Sequence, residues 1–162
     1  MSDVQQFDPT AFLTMPTTEE SVKRPPIAAG DYFAVIKELK SETWQSKDKV
    51  DPGTGKLKSG IKLIPVLALD VPQAEATRVG LMQPTLELTD SIMLELNSAG
   101  TIDYSPGKNG ALRRYRDATD LNKKGETFFP QLMVGKMVKV KIGHREYNGD
   151  LFEQIEGVSL PR

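Results

Sequence analysis

Cations and flat rings are the side chains of this sequence best placed to act on a ligand, and they fall in the same segments. Lys37, Lys40, Lys47, Lys49, Lys139, Lys141 and Arg145 lie in or beside stretches that read as strand, and Tyr32, Trp44, Tyr104 and Tyr147 are interleaved with them. Cations can follow a phosphate backbone, and each ring can stack a base for about 1 to 3 kcal/mol. Trp44 stands out, because it sits among charged residues at the end of a strand beside a basic loop, a poor place for a core tryptophan. Two accounts of Tyr32 and Tyr147 stay open, stacking platforms or half-buried sheet residues, and the lysines could equally solvate a sheet edge. Arg113, Arg114 and Arg116 form either a phosphate patch or the wet side of a helix, with the wet side favoured.

Other chemistries find less support. Gly53-Thr54-Gly55-Lys56 imitates part of a phosphate loop, but Val50 stands where the first glycine belongs and Leu57 where Ser or Thr must follow the lysine. With Asp51-Pro52 before it, the segment reads as a hairpin-tip turn. His144 is the single histidine and the chain has no cysteine, which excludes a Cys and His zinc site and leaves a catalytic triad without placed partners. It reads as a structural or phosphate-contacting residue on a strand. Glu87, Asp90 and Glu95 could bind Mg²⁺ only if bends in one strand region brought them together, so they read as solvated edge charges. The expectation is a protein that is not an enzyme and carries no cofactor or metal.

Composition sets the wider limits. The 162 residues suffice for one core with an appended arm, and 38% hydrophobic with 27% charged residues is ordinary for a soluble globular chain. No apolar run approaches the roughly 20 residues of a membrane-spanning helix, and Met1 to Thr10 lacks the basic start and apolar stretch of a signal peptide. The absence of cysteine fits a reducing, cytoplasmic compartment. A net charge of -1 conceals asymmetry: residues 104–145 hold ten basic and three acidic side chains, whereas residues 61–103 hold two basic and six acidic. Such a chain can present a basic surface while remaining near neutral.

The elements that must position these side chains are mostly strands. Residues 1–27, with Phe7, Phe12, Leu13, Met15 and several prolines, keep no period and read as an extended arm, packed loosely or exchanged with a second copy. Residues 28–162 form the domain. Strand signals run from Asp31 towards Trp44, from Ile61 to Val71 with Pro65 marking an edge or a bulge, and from Leu86 to Asn97 with a kink near Asp90. A mobile basic loop is expected over residues 46–60, a helical turn near Ala74 to Arg78, and one short helix over residues 110–120. Val138, Val140 and Ile142 alternate with Lys139 and Lys141, Gly143 offers a bulge, and Asn148-Gly149 supplies a type I′ turn, so residues 137–160 make a β-hairpin. Five strands with a helix between the third and fourth describe a mainly β, OB-fold-like Greek-key barrel.

Three stretches carry a resemblance. Pro26-Ile27-Ala28-Ala29-Gly30-Asp31-Tyr32-Phe33-Ala34-Val35-Ile36, Gly107-Lys108-Asn109-Gly110-Ala111-Leu112-Arg113-Arg114-Tyr115-Arg116 and Val134-Gly135-Lys136-Met137-Val138-Lys139-Val140-Lys141-Ile142-Gly143-His144-Arg145 resemble the opening, helix and ending of bacteriophage replication-associated single-stranded DNA-binding proteins. The resemblance implies an OB-like barrel that coats single-stranded DNA without sequence preference, with DNA as partner and no membrane. The closing Gly157-Val158-Ser159-Leu160-Pro161-Arg162 is not acidic, which favours coating or annealing over recruitment of replication enzymes through an acidic tail. The competing class is a non-enzymatic phage structural or assembly protein that oligomerises through its N-terminal arm.

Overall fold

The computed structural model describes residues 6–162, so the first five residues of the arm lie outside it. The chain forms β1 (Gly30–Val50), β2 (Leu57–Asp70), α1 (Gln73–Val79), β3 (Thr85–Thr89), β4 (Ile92–Met93), α2 (Gly110–Ala118), β5 (Met137–Tyr147) and β6 (Asp150–Ser159). All pairings are antiparallel, in the order β3-β2-β1-β5-β6, with β4 beside β2. Three consecutive strands followed by a return beside the first is Greek-key connectivity. The sheet curls into a half-barrel whose edges, β3 and β6, are not paired with each other. Helix α2 packs against β4 and β6.

Alternation decides what the sheet buries. Ala34 and Ile36 of β1, Leu63, Leu67 and Leu69 of β2, and Val138, Val140 and Ile142 of β5 point into one core with Leu112, Tyr115 and Ala118 of α2 and Ala76 and Val79 of α1. Tyr115 donates its hydroxyl to Asp90 Oδ2 at 2.6 Å, and burial pushes its ionisation well above the ordinary phenol range, so it stays a neutral donor. Asn109, left-handed at φ 53° and buried, ties the start of α2 to the chain after β4. Its amide nitrogen donates to the carbonyls of Glu95 and Asp103, and its backbone N–H donates to Glu95 Oε2 at 2.7 Å.

Several expectations need correction in detail. The described residues form six strands and two α-helices rather than five and one, because the third strand region breaks at Asp90-Ser91 into β3 and β4, and the turn after β2 closes as α1. The expected loop over residues 46–60 is mostly strand, since β1 runs to Val50 and β2 begins at Leu57. Pro65 lies in an interior strand, not at an edge. Its missing donor faces the gap between β3 and β4, where its carbonyl accepts from the Asp90 N–H at 3.1 Å, so no ladder bond is lost.

The last hairpin turns as its sequence demands, with Asn148 at φ 51° and Gly149 at φ 82°. Its bulge falls on the opposite strand from the one expected. Lys141 pairs with Gly157 and Ile142 with Ile155, so the extra residue is Glu156, and its side chain lies across Gly143. A Cβ at Gly143 would run into the Glu156 carboxylate, so here the glycine makes room for its neighbour.

The arm joins the domain earlier than residue 28. Ile27 is fully buried in the core, and its peptide is held from both sides: its N–H donates to Glu153 Oε1 at 3.1 Å, and His144 Nε2 donates to its carbonyl at 2.6 Å. His144 is therefore a structural residue with its proton on Nε2, since a carbonyl only accepts. Arg24 donates to the same Glu153 oxygen at 2.8 Å, the Ala28 N–H donates to Glu75 Oε1, and Lys23 sits 3.1 Å over the Phe152 ring.

Burial pushes the Glu153 carboxyl up, but the Arg24 guanidinium and the amides that donate to it outweigh this and hold it below its ordinary 4.5. A carboxyl lowered in the folded state adds stability that is complete above the unfolded pKa and lost as pH falls through the folded one. Glu153→Gln should thus cost about 1 to 3 kcal/mol in urea unfolding at pH 7. The gap from the parent should stay constant down to about pH 5 and shrink below it; a gap independent of pH would show that Glu153 is not the anchor.

Candidate nucleic-acid interface

Residues that do not face the core form an outer sheet surface. Next to one another on it are Asp31, Phe33 and Val35 of β1, paired with Lys141, Lys139 and Met137 of β5. Phe33 is 46% exposed and Met137 49%, an amount of bare apolar surface seldom left on the uncovered side of a sheet beside two lysines. Lys139 Nζ donates to the Arg162 backbone oxygen at 3.0 Å, which holds the ammonium at the patch. Lys141 faces Asp31 across the strands and is exposed.

A bulge extends this surface along β1. Ile36 pairs with Leu67 and Glu38 with Val66, so Lys37 is the extra residue and the side-chain alternation shifts by one. Beyond it, Lys40, Glu42 and Trp44 stand on the outer side, opposite Ile64, Lys62 and Gly60. Lys37 itself is ion-paired with Glu87, whose carboxylate raises the lysine's pKa through a hydrogen bond and its charge. Lys47 and Lys49 lie in the irregular stretch between the Gln45–Ser59 and Val50–Leu57 pairs, both exposed.

Trp44 is seated on the sheet rather than fully open. It is half-buried, its indole lies flush on Gly60, and Nε1 is the one buried side-chain polar atom among the described residues without a hydrogen-bond partner. A Cβ at Gly60 would come within 2.8 Å of Nε1 and 3.0 Å of Cε2. Glycine is required at this position by the ring opposite it, not by the turn.

Of the two accounts of Tyr32, its place in the structure is that of the half-buried sheet residue. It pairs with Val140 on the inward side, packs against the core and donates its hydroxyl to the Ala28 carbonyl at 2.6 Å, so it is a structural ring. Tyr147 is exposed beside the hairpin turn, and Arg145 stands 5.5 Å from the Phe152 ring that Lys23 covers. On α2, Arg116 packs on Phe128 and Tyr104 and donates to the Leu121 carbonyl, whereas Arg113 and Arg114 are exposed. Tyr104 thereby carries an arginine on its ring. The three carboxylates weighed as a metal site take separate partners: Glu87 has Lys37, Asp90 has Tyr115, and Glu95 has Asn109 and Lys108.

The expected residues thus form a line, not a cluster. Trp44, Lys40, Lys47 and Lys49 occupy the β1–β2 hairpin, Lys139 and Lys141 the middle of the sheet, and Arg145 and Tyr147 the β5–β6 hairpin. At about 3.3 Å per residue, the contour from Trp44 past Phe33 to Tyr147 is on the order of 60 Å. Phe33 is the residue missed. The unbroken apolar run from Tyr32 to Ile36 hides its alternation, and the inward pairing of Val138 and Val140 with Ala34 and Tyr32 is what resolves it.

Among the described residues no helix is long and apolar enough to cross a membrane. No model of a known protein family matches the sequence, and no curated protein matches it significantly.

Gly60→Ala should push the indole off its seat. The measurement is Trp44 emission, the protein's single tryptophan, which is expected to shift to longer wavelength and become more accessible to iodide. An unchanged spectrum would place the ring elsewhere.

Proposed function

We propose that this protein binds single-stranded DNA without sequence preference, on an OB-like barrel, and coats or anneals strands during phage DNA replication or recombination. The observation that carries this reading is the bare outer patch in which Phe33 lies opposite Lys139 and beside Lys141. A ring beside cations on an open sheet is the arrangement that sequence-tolerant strand binding requires, since every base has a face to stack and every nucleotide a phosphate. Strand order supports the barrel plan: the first three strands form a meander, and the fourth long strand, β5, returns beside the first after helix α2. On that plan the β1–β2 and β5–β6 hairpins flank the binding face, and they hold Lys40, Trp44, Lys47 and Lys49 on one side and Arg145 and Tyr147 on the other.

Titration of fluorescently labelled oligo(dT) at about 50 mM salt, followed by its anisotropy, tests this. Binding is expected to weaken steeply with salt and to favour single strands over duplex. Phe33→Ala and Trp44→Ala should each cost about 1 to 3 kcal/mol of affinity, whereas Lys141→Ala should lower the salt slope by about one. No binding at that salt refutes the proposal, and equal effects of ring and lysine variants on slope and affinity would misplace the stacking platform.

A second reading has its own observation. Phe7, Phe12, Leu13, Met15 and Val22 are all exposed, with Leu13 84% so, as in an arm that packs on a neighbouring subunit. A structural or assembly protein would form a discrete oligomer lost with the arm and show no affinity for DNA. Light scattering together with the same titration separates the two.

A further inference from the structure

The free arm and the bare patch are complementary. Between residues 6 and 22 the chain carries Asp8, Glu19 and Glu20 and no lysine or arginine, together with Phe7, Phe12, Leu13 and Met15. Its internal order is slight: a short 3-10 turn, Pro9–Leu13, capped by Asp8, and an edge-on contact of the Phe7 and Phe12 rings at 6.2 Å. The outer patch offers Phe33, Val35 and Met137 with Lys139 and Lys141. Acidic charge and rings on one element thus match basic charge and apolar surface on the other.

Both are bare within one chain. The arm's hydrophobes remain exposed although it is anchored at Lys23, Arg24 and Ile27 beside β6, and Phe33 and Met137 remain exposed although β6 is only two strands from β1. We infer that the arm, residues 6–22, docks on the Phe33, Val35 and Met137 patch of a second copy, two copies exchanging arms about a two-fold axis, and that single-stranded DNA displaces it. Reciprocal exchange closes the assembly, so it stops at a dimer instead of growing into a filament. The docking depends only on the arm and the patch. The displacement rests on the DNA-binding reading above, because the same face would serve both ligands.

The anchor makes the test clean. A chain lacking residues 1–22 keeps Lys23, Arg24 and Ile27 in their contacts with Phe152, Glu153 and His144, and so retains the core residue of the segment. Sedimentation velocity at about 20 μM is run on the full chain, the truncated chain, Phe12→Asp and Phe33→Asp, each checked by circular dichroism. The full chain should be a dimer, and the other three monomers. In oligo(dT) titrations the truncated chain should bind about tenfold more tightly than the full chain, as a competitor held near its site predicts.

A dimer that survives both truncation and Phe33→Asp overturns the inference. So does a monomeric full chain that binds DNA more weakly than the truncated chain, since the arm would then cover its own face. A dimer lost with the arm and with Phe33, in a protein that binds no oligo(dT) in either form, supports the docking and refutes the DNA-binding proposal.

Discussion

Side chains on a strand alternate with a period of two, so a single extra residue sends every later side chain to the opposite face. Two such residues organise this protein. Lys37 lets Ala34 and Ile36 point into the core and still returns Lys40 and Trp44 to the outer surface, where a regular strand would have turned them inward. Glu156 does the same for β6, keeping Val158 and Ile155 against the core on either side of it. Bulges also deepen strand twist, and a sheet that carries one on β1 and one on β6 is the kind that curls. The half-barrel and the outer surface are thus two consequences of the same pair of insertions.

The curl is open between β3 and β6, and short segments outside the long strands complete the core. Helix α2 supplies Leu112, Tyr115 and Ala118, and the last residues of the arm supply Ile27. Neither is self-supporting: α2 has only nine residues, too few to persist alone in water, and Ile27 belongs to no element. Each is held by polar contacts, Asn109 to Glu95 and Asp103 in the first case, and Glu153 and His144 to the Ile27 peptide in the second. The Glu153 and His144 contacts decide where the free arm begins, beside the edge strand β6.

Local rules were legible wherever one residue type has one use. Asn148-Gly149 could only turn tightly, the alternation of Val138, Val140 and Ile142 could only face one way, and the break at Asp90 was visible in the imperfect period of residues 86–97. Pairwise features were not. The bulge expected at Gly143 sits at Glu156 because the glycine answers a side chain on the neighbouring strand, and that neighbour is known only from the register. Trp44 looked exposed because its sequence neighbours are charged, whereas Gly60, sixteen positions on, covers it. The faces of Tyr32 and Phe33 were illegible for the same reason, since a run of five apolar residues shows no face until its partner strand is placed.

Trp44 is a packing residue on the surface proposed to bind. A buried indole N–H without a partner costs about 1 to 3 kcal/mol relative to a paired one, and the flush fit on Gly60 leaves that donor no protein acceptor to turn towards. The cost is tolerated on a hairpin that is otherwise polar, long and distant from the core, where the ring is the main apolar group joining the two strands across the outer side. On the proposed reading, a strand ligand laid along the outer surface would meet Phe33 as an open ring and Trp44 as a seated one. The two therefore differ in kind: Phe33 can be removed with little effect on folding, whereas Trp44 is also the packing on which the reach of the basic hairpin depends.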